Sequence, residues 1–209
     1  LLDELFDKIK DDVRLRVEYA IRQGITDGWT NQQIVQRIKG KKALNYQDGI
    51  LQQSRSDIER VVRTSRSHVA NTAYMDTYKA MGFTHVKFVA TLDGRVSKTC
   101  ASLDQSMWEI DDPAIKRPPR HPNCRSVLIG VDADGNLAGK RPFVMDERKV
   151  KDIPKDQRDG IIGQLDANTS FKQFFDKADD FFQREWLGEK RYKLFKEGNY
   201  SIDKFVDPL

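Results

Sequence analysis

Cys100, His121 and Cys124 are spaced as C-x20-H-x2-C. Thiolate and imidazole are ligands for a borderline-soft ion such as Zn2+, and His121 and Cys124 are close enough in sequence to share an ion on one knuckle. A structural zinc site takes four ligands, and this set holds three. Three residues before Cys100, where a fourth ligand would fall, the chain has Ser97. Asp93 or Asp104 could complete the shell, or water could, which would leave an open and potentially catalytic position.

Other chemistry fits the same residues. The cysteines could be two small buried side chains or a disulfide, and His121 could simply hydrogen-bond a backbone carbonyl. Asp93 beside Arg95 reads as a turn salt bridge, and Asp104 as a helix-end or turn interaction. A Cys–His nucleophile pair is disfavoured, because Cys124 sits in a proline-restrained turn and not at a helix N-terminus that would lower its pKa. The chain has no G-x-S-x-G elbow, no P-loop and no H-E-x-x-H helix, so the expectation is a protein that is not an enzyme. The alternative is a metal-dependent hydrolase or nuclease with Cys100, His121 and Cys124 as ligands and Asp93 or Asp104 as base.

Lys116, Arg117, Arg120 and Arg125 place four cations in ten residues with no acid between them. Held extended by its prolines, such a loop could meet the phosphates of DNA. Arg125 reads equally well as an internal clamp on Asp93 or Asp104, with the other three solvated. Both cysteines and four of the seven prolines fall between residues 92 and 131. That segment therefore has a geometry to enforce.

The elements that must position it are mostly helical. Apolar residues recur at helical spacing from Leu2, Leu5, Phe6 and Ile9 to Ile21, predicting an amphipathic helix over 2–23 that ends at Gly24. Thr30 is placed to cap a second helix through Lys39, with Gly40 as its stop and Trp29 as a hydrophobic staple. A long helix is expected from about Tyr46 to Met81, with Ile58, Val61 and Val62 on its apolar stripe and a possible break near Ser54–Ser56. Period-two patterning over 84–90 predicts a strand, followed by a helical turn at 100–103 and a brief strand at 107–110. Ser126–Val131 is apolar enough for a central strand, and 132–139 looks like a turn or hairpin tip.

Residues 140–169 mix charge, proline and glycine and read as an extended linker with at most one short helix around 157–165. Ser170 then caps a helix that sets Phe171, Phe174, Phe175, Phe182 and Trp186 on one face and stops at Gly188. So many aromatics on one stripe must be buried, and docking on a partner is the expectation. A helix over 189–196 and a third from Ser201 complete the tail. The fold class is α+β, with predominantly helical N-terminal and C-terminal parts flanking a small β-containing Cys/His module. The divisions are a helical arm over 1–82, the module over 83–139, the linker over 140–169 and the aromatic tail over 170–209.

A net charge of +4 on 209 residues is too small to dictate a nucleic-acid partner. No run of eighteen apolar residues exists and the start lacks a signal-peptide pattern, so no membrane partner is expected. Two cysteines in this length fit a reducing compartment better than a secreted disulfide framework.

Arg63-Thr64, Asn71, Gly82, the run Lys87–Ser97, Cys100, Ser102-Leu103-Asp104, Pro118-Pro119 and His121–Ser126 together resemble the phage Mu F-like minor head proteins, or phage head morphogenesis proteins. The P-P-x-H-x-N-C-R ending is specific to that pattern. Tail residues such as Phe182-Gln183, Leu187-Gly188, Arg191–Phe195 and Ser201–Val206 resemble the C-terminal extension of many such proteins, so the resemblance begins near 50 and runs to the end. It implies a helical part before a compact Cys/His module in a low-copy virion component. Such a protein lies inside the capsid near the portal and aids head assembly, packaging or delivery of the genome. Portal and capsid proteins, phage DNA and a second copy are the partners implied, in the virion and, during assembly, in the host cytoplasm. Ser97 and Gln105 depart from the family, where many members have Cys and Gly.

Overall fold

The computed structural model describes residues 2–198, 201 and 202, with side chains described for all of these except 2–6, 8–10, 53–59, 61 and 62. The chain is α+β, and among the described residues six short strands form two three-stranded sheets. It divides into two compact units, 1–66 and 67–209, with the boundary inside a long helix.

In the first unit, α1 (Leu2–Thr26) runs past Gly24, where the sequence pointed to its end. That glycine serves a close approach and not a helix stop. A Cβ added to it would lie 2.5 Å from Cγ1 of Ile34 on α2 (Asn31–Lys39). Thr30 and Gln33 form a reciprocal capping box at the start of α2, and Gly40, at φ +90°, ends it. α3 (Ile50–Ala80) begins later than expected, because Asn45 and Tyr46 both adopt positive φ in the turn before it. Its backbone is helical through 54–56, so the expected break is absent. Leu2, Leu5, Phe6, Ile9, Ile58, Val61 and Val62, part of the predicted stripes, lie outside the described side chains. Among the described residues of this unit, the buried apolar side chains are Ala20 and Ile50.

The second unit is built on β1 (His85–Val89), whose alternation turns Val86 and Phe88 fully inward. β2 (Leu92–Asp93) and α4 (Lys98–Leu103) follow, then β3 (Met107–Glu109) and β4 (Val127–Val131). The first sheet has the order β3-β1-β4, antiparallel throughout, with Phe88 opposite Leu128. β1 is therefore central, and β4, expected in the centre, is an edge. Its apolar run reflects a helix lying along that edge. Asn71 Oδ1 accepts the Leu128 N–H at 3.1 Å, Tyr78 donates to the Leu128 carbonyl, and the Tyr78 ring sits where a Cβ on Gly130 would be, 2.8 Å away. With its Leu128 ladder groups taken by the helix, that edge is less able to recruit another strand.

Residues 140–169 are not a linker. β5 (Lys140–Val144) pairs in parallel with β2 and antiparallel with β6 (Ile162–Asp166), so the second sheet has the order β2-β5-β6. Pro142 and the charge at Arg141 hid the strand, because its buried position carries an arginine. Gly163 is needed opposite Phe143, whose ring atom Cε1 would be 2.7 Å from any Cβ there. The short helix expected near 157–165 is replaced by a 3-10 turn at Lys155–Gln157, a turn over 159–161 and then β6.

The tail is α5 (Phe171–Asp176), α6 (Asp180–Leu187) and α7 (Glu189–Lys196). Ser170 and Gln173 make a capping box, as the sequence suggested, but Asp179 restarts the chain by accepting the Phe182 N–H at 2.7 Å. The single helix over 170–188 is thus two. The helix expected from Ser201 lies outside the described residues beyond Ile202.

Phe171, Phe174, Phe175, Phe182 and Trp186 are all buried, in one core with Phe88, Leu92 and Leu128 of the sheets. Their rings touch one another, with Phe171 and Trp186 centroids 4.9 Å apart. The docking role assigned to them is withdrawn. The surface they cover is the module's own, and the second sheet and tail close its core.

A candidate Cys–His–Cys metal centre

Two segments supply the centre. Ser97 caps α4 by accepting the Cys100 N–H at 3.1 Å, which sets Cys100 on the first turn with its side chain inward and 1% exposed. The other segment is the loop 116–125. Here the Cys124 N–H closes a turn onto the His121 carbonyl at 3.1 Å, across Asn123 at φ +60°. Asparagine tolerates that left-handed conformation better than most residues.

His121 Nδ1 lies 2.9 Å from the Pro122 carbonyl oxygen. A carbonyl only accepts, so Nδ1 carries the proton and Nε2 presents its lone pair inward. Nε2 is 3.3 Å from Cys100 Sγ, and the two sulfurs are 3.6 Å apart and not bonded. A tetrahedral zinc ion with S at about 2.3 Å and N at about 2.0 Å has S···S and S···N edges of roughly 3.8 and 3.5 Å. The two edges at Cys100 match those values to about 0.2 Å, and all three donor atoms lie within 4.8 Å of one another. They could hold a metal.

The thiols share their protons unequally. The hydrogen bond between them lowers the pKa of Cys124, helped by His121, and raises that of Cys100, helped by burial. His121 is raised above its ordinary value, chiefly by its contact with Cys124. Ionisation is thus favoured at Cys124 over Cys100, and thiolate is the form that binds a metal.

The two carboxylates offered as a fourth ligand are committed elsewhere. Asp93, 6% exposed, receives both arms of the Arg125 guanidinium, with Nη2 at 2.8 Å from Oδ1, and also the Arg95 N–H at 3.0 Å. That pairing raises the pKa of Arg125. Asp104 is gripped by Arg141 at 3.0 and 3.1 Å and accepts the N–H groups of Ala90 and Phe171 at 2.7 and 2.6 Å. Asp104 thus accepts four hydrogen bonds and has no lone pair to spare, and Asp93 accepts three with Arg125 across both its oxygens. Both are thereby drawn away from service as ligands or bases: Asp93 lies 3.7 Å from Arg95 as the expected turn salt bridge, and Asp104 sits at the end of α4 as expected but pairs with Arg141.

Arg125, though exposed, has both guanidinium arms on Asp93, the internal clamp that the sequence offered as its alternative role. Lys116 and Arg117 are exposed without a partner among the described residues, and Arg120 is half-buried with its Nε unsatisfied. Arg141 was missed altogether. Besides Asp104, it donates to the carbonyls of Thr169, at 2.9 Å, and Ala90, so one side chain joins β5 to the end of β1 and the start of α5. The available signal was its period-two spacing from Phe143, masked by the proline between them.

The centre is also tied to the tail. Trp186 Nε1 donates to the Val96 carbonyl at 3.1 Å, just before the Ser97 cap, and Lys98 lies 5.1 Å from the Trp186 ring. No described helix is long and apolar enough to cross a membrane.

Comparison with curated proteins and with solved structures returned no match. The family model described as Phage Mu protein F like protein matches residues 15–129, more than half of the chain and all three sulfur and imidazole donors. This chain belongs to that family of phage head morphogenesis proteins.

Proposed function

We propose that this protein is a minor structural component of the phage head, associated with the portal or the capsid interior, where it aids genome packaging or delivery. The observation that carries the reading is the family match over 15–129, which takes in helical arm, first sheet and Cys/His centre together. The centre then serves as a clamp. Cys100, Cys124 and His121 Nε2 would hold Zn2+, which would bind α4 to the 116–125 loop where no covalent link exists. Solvent is left as the fourth ligand.

The carboxylates support a non-enzymatic role. A hydrolase built on this centre needs a free base, and Asp93 and Asp104 are engaged by arginines and backbone N–H groups. Phage DNA is a compatible partner through Lys116, Arg117 and Arg120. Replacing Arg117 and Arg120 with Ala should flatten the salt dependence of DNA binding, and an unchanged slope removes the loop from that role.

The principal test is copurification of the tagged full chain with portal and capsid proteins from infected cells. Recovery with either supports the reading, and recovery with neither, alongside absence from purified virions, overturns it. Metal analysis of the purified protein separates the clamp from the hydrolase. Stoichiometric zinc, lost in His121→Ala and unaccompanied by nuclease turnover, supports the clamp, whereas zinc-dependent turnover would establish the rival.

A further inference from the structure

Among its described side chains the first unit has a well-capped α2 and almost no core. Of its described apolar side chains only Ala20 and Ile50 are buried, whereas Leu15 is 58% exposed, Tyr19 68% and Trp29 36%. These five residues line a cleft of about 580 Å3, and a smaller depression of about 280 Å3 continues from it, sharing Trp29 and Arg37. A pair of helices joined by a short turn has an apolar face to cover, and a third helix laid along the two completes the packing.

The rim of the cleft says what kind of helix. Arg16, Arg22 and Arg37 face it with Glu18 as the one acid. Glu18 is already shared between Arg14 at 3.7 Å and Arg22 at 4.0 Å, and Arg16 is held by Asp12 at 2.8 Å. Arg37 has no partner among the described residues. Lys41 lies on the adjoining depression, whose acid, Asp48, accepts the Lys41 N–H at 2.8 Å. The rim thus has cations in excess of the acids beside them, around an apolar floor.

We infer that this cleft docks an amphipathic helix of another head protein, with apolar residues filling the floor and flanking Asp or Glu side chains meeting Arg22 and Arg37. The inference rests on the head-component reading and adds to it the residues and the chemistry of the partner. Electrostatic complementarity of this kind selects the partner and its orientation, while the apolar floor supplies most of the affinity.

The test uses the full chain and two synthetic helical peptides that share a Leu face and differ in their flanks, one Glu and the other Lys. Trp29 emission and titration calorimetry report binding, and Trp29→Phe identifies the optical signal. The expected result is a blue shift with the Glu peptide, binding at least about tenfold tighter than the Lys peptide, and loss of that preference in Arg22→Glu/Arg37→Glu. Equal binding of the two peptides, or binding of neither, overturns the inference. So does self-association of the chain that Tyr19→Asp abolishes, because the cleft then belongs to a second copy. Failure here is distinguishable from failure of the head role. Copurification with portal or capsid proteins that survives both Tyr19→Asp and Arg22→Glu/Arg37→Glu keeps the head role and removes the cleft from it.

Discussion

Asp104 accepts hydrogen bonds from Arg141 and from two backbone N–H groups that lie 14 residues before it and 67 after it. With its side chain fully buried and that of Arg141 8% exposed, this is a charge pair out of water, and such pairs are costly to break singly. Asp104→Asn should destabilise the protein by about 3–5 kcal/mol in urea unfolding, while the double change Asp104→Leu/Arg141→Met should cost much less than the two single changes added. The sequence made the Asp93–Arg125 clamp and the Cys–His centre legible, since both lie within one short motif. It could not supply Arg141, because a lone arginine in a proline-broken strand carries no periodic signal until its partner strands are known. At the metal centre, Cys124→Ser should abolish zinc retention on dialysis, and a chelator should lower the melting temperature of the parent chain but not of that variant.

Acid sensitivity has a source outside the centre. Arg148 holds Asp146 below its ordinary value of 3.8. A depressed carboxylate stabilises the fold above its unfolded pKa, and that contribution disappears as the pH falls through the folded value. Arg148→Ala should therefore move the Asp146 NMR midpoint up toward 3.8.

Among the elements, helices with caps were readable and strands hidden by charge were not. Thr30 and Ser170 announce their helices through the S/T-x-x-Q pattern, and both make the reciprocal box. The 140–169 segment was misread because β5 and β6 have mixed burial, and β5 finds its parallel partner some fifty residues away at Leu92. The aromatic stripe of the tail was read correctly as surface that must be covered, but its cover is internal. Phe175→Ala should cost about 3–5 kcal/mol, whereas Phe181→Ala, at a side chain 74% exposed, should stay within about 0.5 kcal/mol, both measured by thermal or urea unfolding. Gly130→Ala should cost about 1–3 kcal/mol, because the new methyl displaces the Tyr78 ring that guards the edge of β4.

For the molecule as a whole, nearly all of the described core belongs to residues 67–209. That unit expressed alone should unfold cooperatively and keep the zinc stoichiometry of the full chain, with loss of both arguing against its independence. The α+β class was legible because helical and period-two patterns are local properties of sequence. The division into units was not, since the module, linker and tail expected from composition are one unit, and the boundary falls within a continuous helix where no loop signal marks it.

The reach from Asp104 to Phe171 also sets an order of events during synthesis. A ribosome that has released only the first 139 residues has delivered every sulfur and imidazole donor, yet neither Arg141 nor the α5 backbone that Asp104 requires. Until residues 141–171 emerge, the nascent module carries a carboxylate without its arginine and uncovered sheet surface. Its folding waits on residues 141–171, and truncation before Phe171 should yield insoluble protein.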